Sequence, residues 1–336
     1  MADTLASGPV HGGPDALGVP RHDFSTNANA CGPCPEALAA VQSADAARYP
    51  DPGYAVLRAQ LADRHGVAPA RIVPAASASE FIFRISALVA GQGGSVWLPA
   101  HGYGDYARAA QGWGLAAVGD PAKAQLLWAC DPASPLATPH EGLAELVDGL
   151  SSGQLCVLDL AYEPLRLEGA LALDVSQCER VWQLWTPNKA LGLTGVRAAY
   201  AIAPRGAEAP AARLAALAPS WPLGAHGVAL LQAWTRPTVQ DWLARSLERL
   251  REWKLRQVHV CESLGWQVLP GVANFFCARP DSADLAADLR RLRARGVKLR
   301  DTASFGLPGQ VRLGVLAPPA QDALVAAWQE IKEQPQ

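Results

Sequence analysis

The 336-residue sequence predicts an α/β protein: a mostly parallel central sheet flanked by helices, followed by a smaller α+β domain. Three observations carry this. From about residue 72 to residue 202, short apolar runs alternate with helical patterns, the rhythm of parallel strands joined by crossover helices. Hydrophobic residues make up 50% of the chain and charged residues 18%, so a sheet covered on both faces can be buried. The length suits one large domain, or a large and a small domain that share a core.

The elements follow in order. The first 35 residues are rich in Gly, Pro, Asn and His and read as an extended arm. A helix is predicted from Glu36 to Ala47, broken by Arg48-Tyr49-Pro50-Asp51-Pro52-Gly53, and a second runs through Leu57 and Leu61 to His65, closed by Gly66. Ile72-Val73 ends a strand. Ser77-Ala78-Ser79-Glu80 then reads as a capped helix start, and that helix stops at Gly91. Strands are expected at Ser95–Leu98, Leu115–Val118, Leu126–Ala129, Leu155–Asp159, Val181–Leu184 and Ala198–Ile202, with helices near Tyr106–Ala110 and Gly142–Leu150. The pattern changes at Pro219-Ser220-Trp221-Pro222. A long helix from about Val239 to Leu264 is followed by strands at Val268–Leu269 and Phe275–Ala278, a helix around Leu285–Arg293, strands at Val297–Arg300 and Val311–Val315, and a final helix. The expected division is 1–45 (arm and first helix, packing with the small domain), 46–220 (large domain) and 221–336 (small domain).

The formal net charge is −2, which argues against nucleic-acid binding driven by bulk charge. No run of about 18 apolar residues suggests a membrane span, and the start lacks the basic and apolar regions of a secretory signal. A cytoplasmic protein is expected. The seven histidines show no metal-ligand spacing, so no metal is expected. The eleven tryptophans read as packing residues. Only five of the 29 basic residues are lysines: Lys123, Lys189, Lys254, Lys298 and Lys332. Any chemistry that needs an amine has a short list.

Most of the seven cysteines sit in apolar runs and read as small buried hydrophobes. Cys31-Gly32-Pro33-Cys34 is different, because it has the CxxC spacing of a thiol–disulfide catalyst. Such a site should follow a strand in a βαβ unit. Here it follows the polar stretch Asn27-Ala28-Asn29-Ala30, and the favoured reading is a turn into a helix with Pro35 at its first position.

In open α/β sheets, ligands bind beyond the carboxyl ends of the strands. The polar residues at those ends converge. Ser77, Ala78 and Ser79 follow one strand and Tyr103 another; Asp159 closes a third, with Tyr162 just beyond; Thr186, Asn188 and Lys189 follow a fourth. Taken singly, Lys189 could be a surface lysine and Asp159 a strand-end cap. Together they match the needs of pyridoxal phosphate. Its aldehyde needs a lysine amine, its ring nitrogen a carboxylate, its phosphate a helix start with hydroxyls and an arginine, and its ring an aromatic on one face.

The segment Thr186-Pro187-Asn188-Lys189-Ala190-Leu191-Gly192-Leu193-Thr194-Gly195-Val196-Arg197 resembles the Ser/Thr-x-x-Lys-x-x-Gly-Leu-x-Gly-x-Arg signature of fold-type I pyridoxal-phosphate enzymes. Asp159-Leu160-Ala161-Tyr162 resembles their Asp-x-Ala-Tyr element. The likeness runs from His11 to the last helix and implies the aminotransferase-like fold of that family. Within it, four segments are similar to threonine-phosphate decarboxylases of cobalamin synthesis and to their relatives, the histidinol-phosphate aminotransferases. These are His11-Gly12-Gly13, Asp23-Phe24-Ser25-Thr26-Asn27-Ala28-Asn29, Arg48-Tyr49-Pro50-Asp51, and Leu299-Arg300-Asp301 with Val311-Arg312. The His-Gly-Gly arm favours the decarboxylases.

The resemblance implies roles. Lys189 would hold the cofactor covalently and move the proton at Cα. Asp159 would pair with the ring nitrogen, Tyr162 would bond the ring hydroxyl and Tyr103 would stack on the ring. Ala78, Ser79, Thr186, Asn188 and Arg197 would hold the cofactor phosphate, joined by Tyr49 from the other subunit of a homodimer with shared active sites. Arg312 would grip the substrate carboxylate; His11, Asn29 and Arg300 would meet the substrate's own phosphate. The implied reaction is decarboxylation of O-phospho-L-threonine to aminopropanol phosphate. The alternatives are transamination of a phosphorylated amine such as histidinol phosphate, and a non-catalytic role in a cobalamin-assembly complex. The chain departs from the family at three places. Ser134, in Asp131-Pro132-Ala133-Ser134-Pro135-Leu136-Ala137, stands where an Asn usually bonds the ring hydroxyl. The cup Ala75–Glu80 lacks the usual glycines. The stretch between Gly114 and Leu126 is short, which implies a missing peripheral strand–helix piece.

Overall fold

The computed structural model describes residues 12–333, so His11 lies outside the described residues. Thirteen strands are described. They are β1 (His22–Asp23), β2 (Ile72–Ala75), β3 (Ser95–Trp97), β4 (Ala116–Ala117), β5 (Leu126–Cys130), β6 (Leu155–Asp159), β7 (Trp182–Trp185), β8 (Ala199–Ile202), β9 (Gln267–Val268), β10 (Phe275–Arg279), β11 (Val297–Lys298), β12 (Arg300–Asp301) and β13 (Val311–Gly314). Seven form the central sheet in the order β2-β8-β7-β6-β5-β3-β4. Only β8 runs against the others, pairing antiparallel with both β2 and β7. The expected mostly parallel sheet is therefore present.

Burial explains the central strands. Every residue of β5 is buried, and four of the five in β6 are. Both faces are covered, so these strands read as continuous apolar runs without alternation. One side packs under the helix Ala78–Ala90, whose Phe81, Ile82 and Ile85 meet Trp128 and Trp182 in one apolar cluster. That helix begins as the sequence predicts: Ser77 Oγ accepts the Glu80 amide at 3.0 Å, and Gly91 ends it.

A second sheet, β12-β13-β10-β9, is antiparallel where its pairs are described. The predicted single strand Val297–Arg300 is split. Val297–Lys298 pairs in parallel with β1 of the arm, while Arg300–Asp301 pairs with β13, and Leu299 lies between the two sheets. The first helix covers only Pro35–Gln42, shorter than expected, because the chain turns at Ser43. Helices at Glu208–Ala216 and Ala225–Trp234 add to those the sequence predicts, and the long helix spans Pro237–Ser263. Between Gly114 and Leu126 the chain makes only the two-residue edge strand β4 and a 3₁₀ turn at Pro121–Lys123. No described helix is long and apolar enough to cross a membrane.

Where the helix Ala55–His65 meets the sheet, His65 Nε2 lies 2.8 Å from the Tyr200 hydroxyl, which also accepts from Trp234 Nε1 at 3.1 Å. Burial first, and the charge of Arg64 second, push the imidazole down to about 4. Between pH 6.5 and about 4, the unfolded chain takes up a proton here that the folded chain refuses. Stability therefore falls as pH falls through that window, by about 2–3 kcal/mol for a shift of this size. Urea unfolding at pH 7 and pH 4.5 checks this: the acid loss should shrink in His65→Gln. An equal loss in both proteins would place the acid sensitivity elsewhere.

Candidate active site

The carboxyl ends of β2, β3, β5, β6 and β7 open into a cavity of about 480 Å³, within the range of small-molecule sites. Its wall includes Ser77, Ala78, Ser79, Tyr103, Ser134, Asp159, Tyr162, Thr186, Asn188, Lys189, Arg197, Arg300 and Arg312, so most of the residues singled out by the sequence meet in one space.

Asp159 is the last residue of β6 and is 4% exposed. One carboxylate oxygen accepts the Tyr106 hydroxyl at 2.6 Å and the other the Ala161 amide at 3.0 Å. Burial raises its carboxyl above the ordinary carboxylate range; Tyr106, the charge of Lys189 and the Ala161 amide pull it back. Lys189 is half-buried. Its Nζ donates to Thr186 Oγ1 at 3.3 Å and lies 5.4 Å from the centre of the Tyr162 ring. The amine is held within the loop after β7, where Asn188 Nδ2 donates to the Val196 carbonyl at 3.3 Å and Gly192 turns the chain with φ of 66°.

Tyr103 shares a hydrogen bond of 3.2 Å with Ser79 Oγ, which lies at the start of the helix Ala78–Ala90. Burial pushes the Tyr103 phenol up to about 12, so it stays neutral at physiological pH. The first amides of that helix have no partners within the helix and face an anion-favouring pole. The opposite wall carries two guanidiniums. Arg300 and Arg312 are direct cross-strand partners, 5% and 7% exposed. Such like charges repel unless an anion joins them. Arg312 reaches Ser134 Oγ at 3.3 Å and the Ser25 carbonyl at 3.2 Å, and its buried Nε has no partner among the described residues. Phe305 lies 4.8 Å from the Arg300 guanidinium and 5.7 Å from that of Arg312.

One expectation changes. Asn29 does not line the cavity. Its Nδ2 donates to the Ala190 carbonyl and Ser246 Oγ, and its Oδ1 accepts the Cys31 amide, so the side chain is consumed in tying the arm to the Lys189 loop. Asn27 lines the cavity in its place, with Nδ2 3.3 Å from the Tyr162 hydroxyl. Ser134 lines the cavity, but it engages Arg312. Tyr49 does not line the cavity of its own chain: it is 77% exposed and stacks on Trp221 at 4.3 Å. Cys31 and Cys34 are free thiols, both pushed up by burial, which is the opposite of what an attacking thiol needs.

Sequence reasoning missed Tyr106, Asn27, Gly12 and Phe305. Tyr106 lies three residues after Tyr103, the spacing of one helical face, and that was its available signal. Gly12 faces Ser25 so closely that a Cβ there would meet the Ser25 carbonyl oxygen at 2.0 Å, and the Gly13 amide donates to Ser25 Oγ at 2.9 Å.

The profile of the aminotransferase class I and II family matches residues 115–327. The chain belongs to that family. A histidinol-phosphate aminotransferase of Ruegeria pomeroyi is 30% identical over 335 residues, covering 92% of this chain and 91% of that protein. Among solved structures, the histidinol-phosphate aminotransferase of Sinorhizobium meliloti, in complex with pyridoxal 5'-phosphate, aligns with a TM-score of 0.77 at 22% identity, covering 91% of this chain and 89% of that one. The L-threonine-O-3-phosphate decarboxylase of Porphyromonas gingivalis aligns with a TM-score of 0.71 at 20% identity, covering 88% and 93%. At those identities the likeness speaks for the fold alone.

Members of this family work with pyridoxal 5'-phosphate, and the cavity fits that group. A buried carboxylate at a strand end, the amine of Lys189 in the same cavity, a helix start with adjacent hydroxyls and an aromatic face are the set that it requires.

Two substitutions check the corrected placements. Asn27→Ala should lower kcat/KM roughly tenfold, the scale of one lost hydrogen bond. Asn29→Ala should instead lower the melting temperature and spare kcat/KM. The reverse pattern would restore Asn29 to the site. The double variant Cys31→Ser/Cys34→Ser should keep full activity per folded molecule, and loss of activity with the fold intact would revive the redox role.

Proposed function

We propose that the protein is an aminotransferase acting on a small phosphorylated amine of the histidinol-phosphate class. The observation that carries this reading is the pairing, in one cavity, of the Lys189–Asp159 machinery with two buried guanidiniums, Arg300 and Arg312. The full-length similarity to histidinol-phosphate aminotransferases supports the same substrate class.

Bound there, pyridoxal phosphate supplies an aldehyde for the substrate amine and an electron-withdrawing ring that acidifies Cα. The chain's own residues do the rest. Lys189 would anchor the cofactor through its amine and, once the substrate amine has displaced it, would be free to move the proton at Cα. Asp159 keeps the ring nitrogen protonated. Tyr103 covers the ring, and Tyr162, oriented by Asn27, donates to the ring hydroxyl oxygen. The amides of Ala78 and Ser79, with Thr186, Asn188 and Arg197, receive the cofactor phosphate. Arg300 takes the substrate phosphate. Arg312 takes the carboxylate of the amino-acid co-substrate in a planar fork. A second copy of the chain would bring Tyr49, exposed in the single chain, to the same phosphate.

A second reading, decarboxylation of O-phospho-L-threonine, is favoured by the arm: Gly12 lines the cavity, and the arm carries the His-Gly-Gly sequence. A substrate with both a carboxylate and a phosphate would also engage both arginines at once. Arg312, by where it would place a substrate carboxylate, would decide which bond at Cα is aligned for cleavage and so which reaction runs.

Turnover separates them. With histidinol phosphate and 2-oxoglutarate, the purified protein should yield glutamate, and Lys189→Ala should lower that rate roughly 10²–10⁴-fold. Carbon dioxide release from O-phospho-L-threonine without any 2-oxoglutarate requirement would overturn the transaminase in favour of the decarboxylase. No turnover of either by a folded, cofactor-loaded protein would overturn both.

A further inference from the structure

The carboxylate of Asp159 is held by a group that the family motif does not include. Tyr106, on the helix Gly104–Gly112, is 2% exposed. Its ring stacks on Trp128 of β5 at 4.4 Å and 12°, and meets Tyr103 edge-on at 5.9 Å. Its hydroxyl donates to Asp159 Oδ2 at 2.6 Å, while the Ala161 amide takes Oδ1. We propose that Tyr106 is the positioning residue for Asp159, fixing the carboxylate's orientation toward the cofactor ring. The proposal rests on the reading of Asp159 as the partner of the ring nitrogen.

The physical case has three parts. First, Asp159 is buried, and burial alone favours its neutral form. A carboxylate whose pairing role requires charge therefore needs donors, and the phenol is the strongest pull in that direction, ahead of Lys189 and the Ala161 amide. Second, Tyr106 can act only as a donor to this anion. Burial and the neighbouring charge of Asp159 push its phenol well above its ordinary value, so it keeps its proton at any working pH. Third, the geometry is rigid. Trp128 and Tyr103 brace the ring on two sides, and one donor on each oxygen leaves each a further lone pair. The same phenol thus couples the residue expected to cover the cofactor ring, Tyr103, to the residue expected to charge it. The other titratable groups facing Asp159 are the Cys130 thiol on β5, Tyr103 before the helix and Lys189 after β7. The thiol is pushed far up by burial and stays neutral, so Lys189 is the one cation among them.

Tyr106→Phe removes one oxygen and keeps the ring. The experiment measures the dissociation constant for pyridoxal 5'-phosphate and the acid limb of kcat/KM against pH, in the wild type, Tyr106→Phe and Asp159→Asn. Without the phenol, Asp159 takes up its proton at higher pH. The acid limb should move up by about one unit, and cofactor binding on that limb should weaken about tenfold. The melting temperature of the cofactor-free protein reports any purely structural role. Replacing Tyr106 with 3-fluorotyrosine, a stronger donor of nearly the same shape, should move the limb the other way, and it decides the matter should Tyr106→Phe fail to fold. Unchanged acid limbs and cofactor binding in the Tyr106 variants, with Asp159→Asn altered, would overturn the proposal and leave the role of Asp159 standing. Unchanged behaviour in Asp159→Asn as well would overturn that role too.

Discussion

The site depends on keeping a buried carboxylate charged beside an amine. Asp159 closes β6 with 4% of its surface exposed, in a position largely withdrawn from water. An isolated carboxylate there would neutralise. The surrounding architecture answers that cost with oriented donors. The turn after β6 aims the Ala161 amide at one oxygen, a helix delivers the Tyr106 phenol to the other, and the loop after β7 brings the charge of Lys189 near. Parallel strands make the arrangement possible, because they end side by side and their loops project into one space.

The facing wall poses the complementary problem. Two arginines opposite each other on β12 and β13 repel, and Arg312 lowers the proton affinity of Arg300 as burial does. Phe305 offers its ring face to both guanidiniums, which softens the repulsion without neutralising it. In the proposed function an anionic substrate would complete the balance. In that function one wall would supply the acid–base chemistry at Cα and the other would read anionic groups; the arm, through Ser25 and Gly12, joins the two.

What the sequence disclosed follows from how local each feature is. The Lys189 segment is a continuous loop whose spacing sets its own geometry, and the apolar runs of β5 and β6 declare a doubly covered sheet, so the amine, the acid and the fold were legible. Asn27 and Asn29 were not separable by pattern. Which one faces the cavity is decided by a backbone bond from the Asn29 amide to the Lys189 carbonyl, a contact across 160 residues that fixes the loop's rotation. The break at Leu299 is hidden for the same reason: Val297-Lys298-Leu299-Arg300 alternates like one half-buried strand, although its two halves pair in different sheets. Tyr106 was hidden because a tyrosine on an amphipathic helix looks like core until the partner of its hydroxyl is known. The exposed Tyr49 stacks on Trp221, and its proposed part in the site would need a second copy of the chain.

The central claim is that the Lys189 amine carries pyridoxal phosphate over Asp159. The most direct measurement is to incubate the purified protein with pyridoxal 5'-phosphate, reduce it with borohydride, and locate the pyridoxyl mass by peptide mapping. The account predicts a visible absorption band before reduction and a single label on the peptide that contains Lys189. A colourless protein, or a label on Lys123, Lys254, Lys298 or Lys332 with Lys189 unmodified, would contradict it.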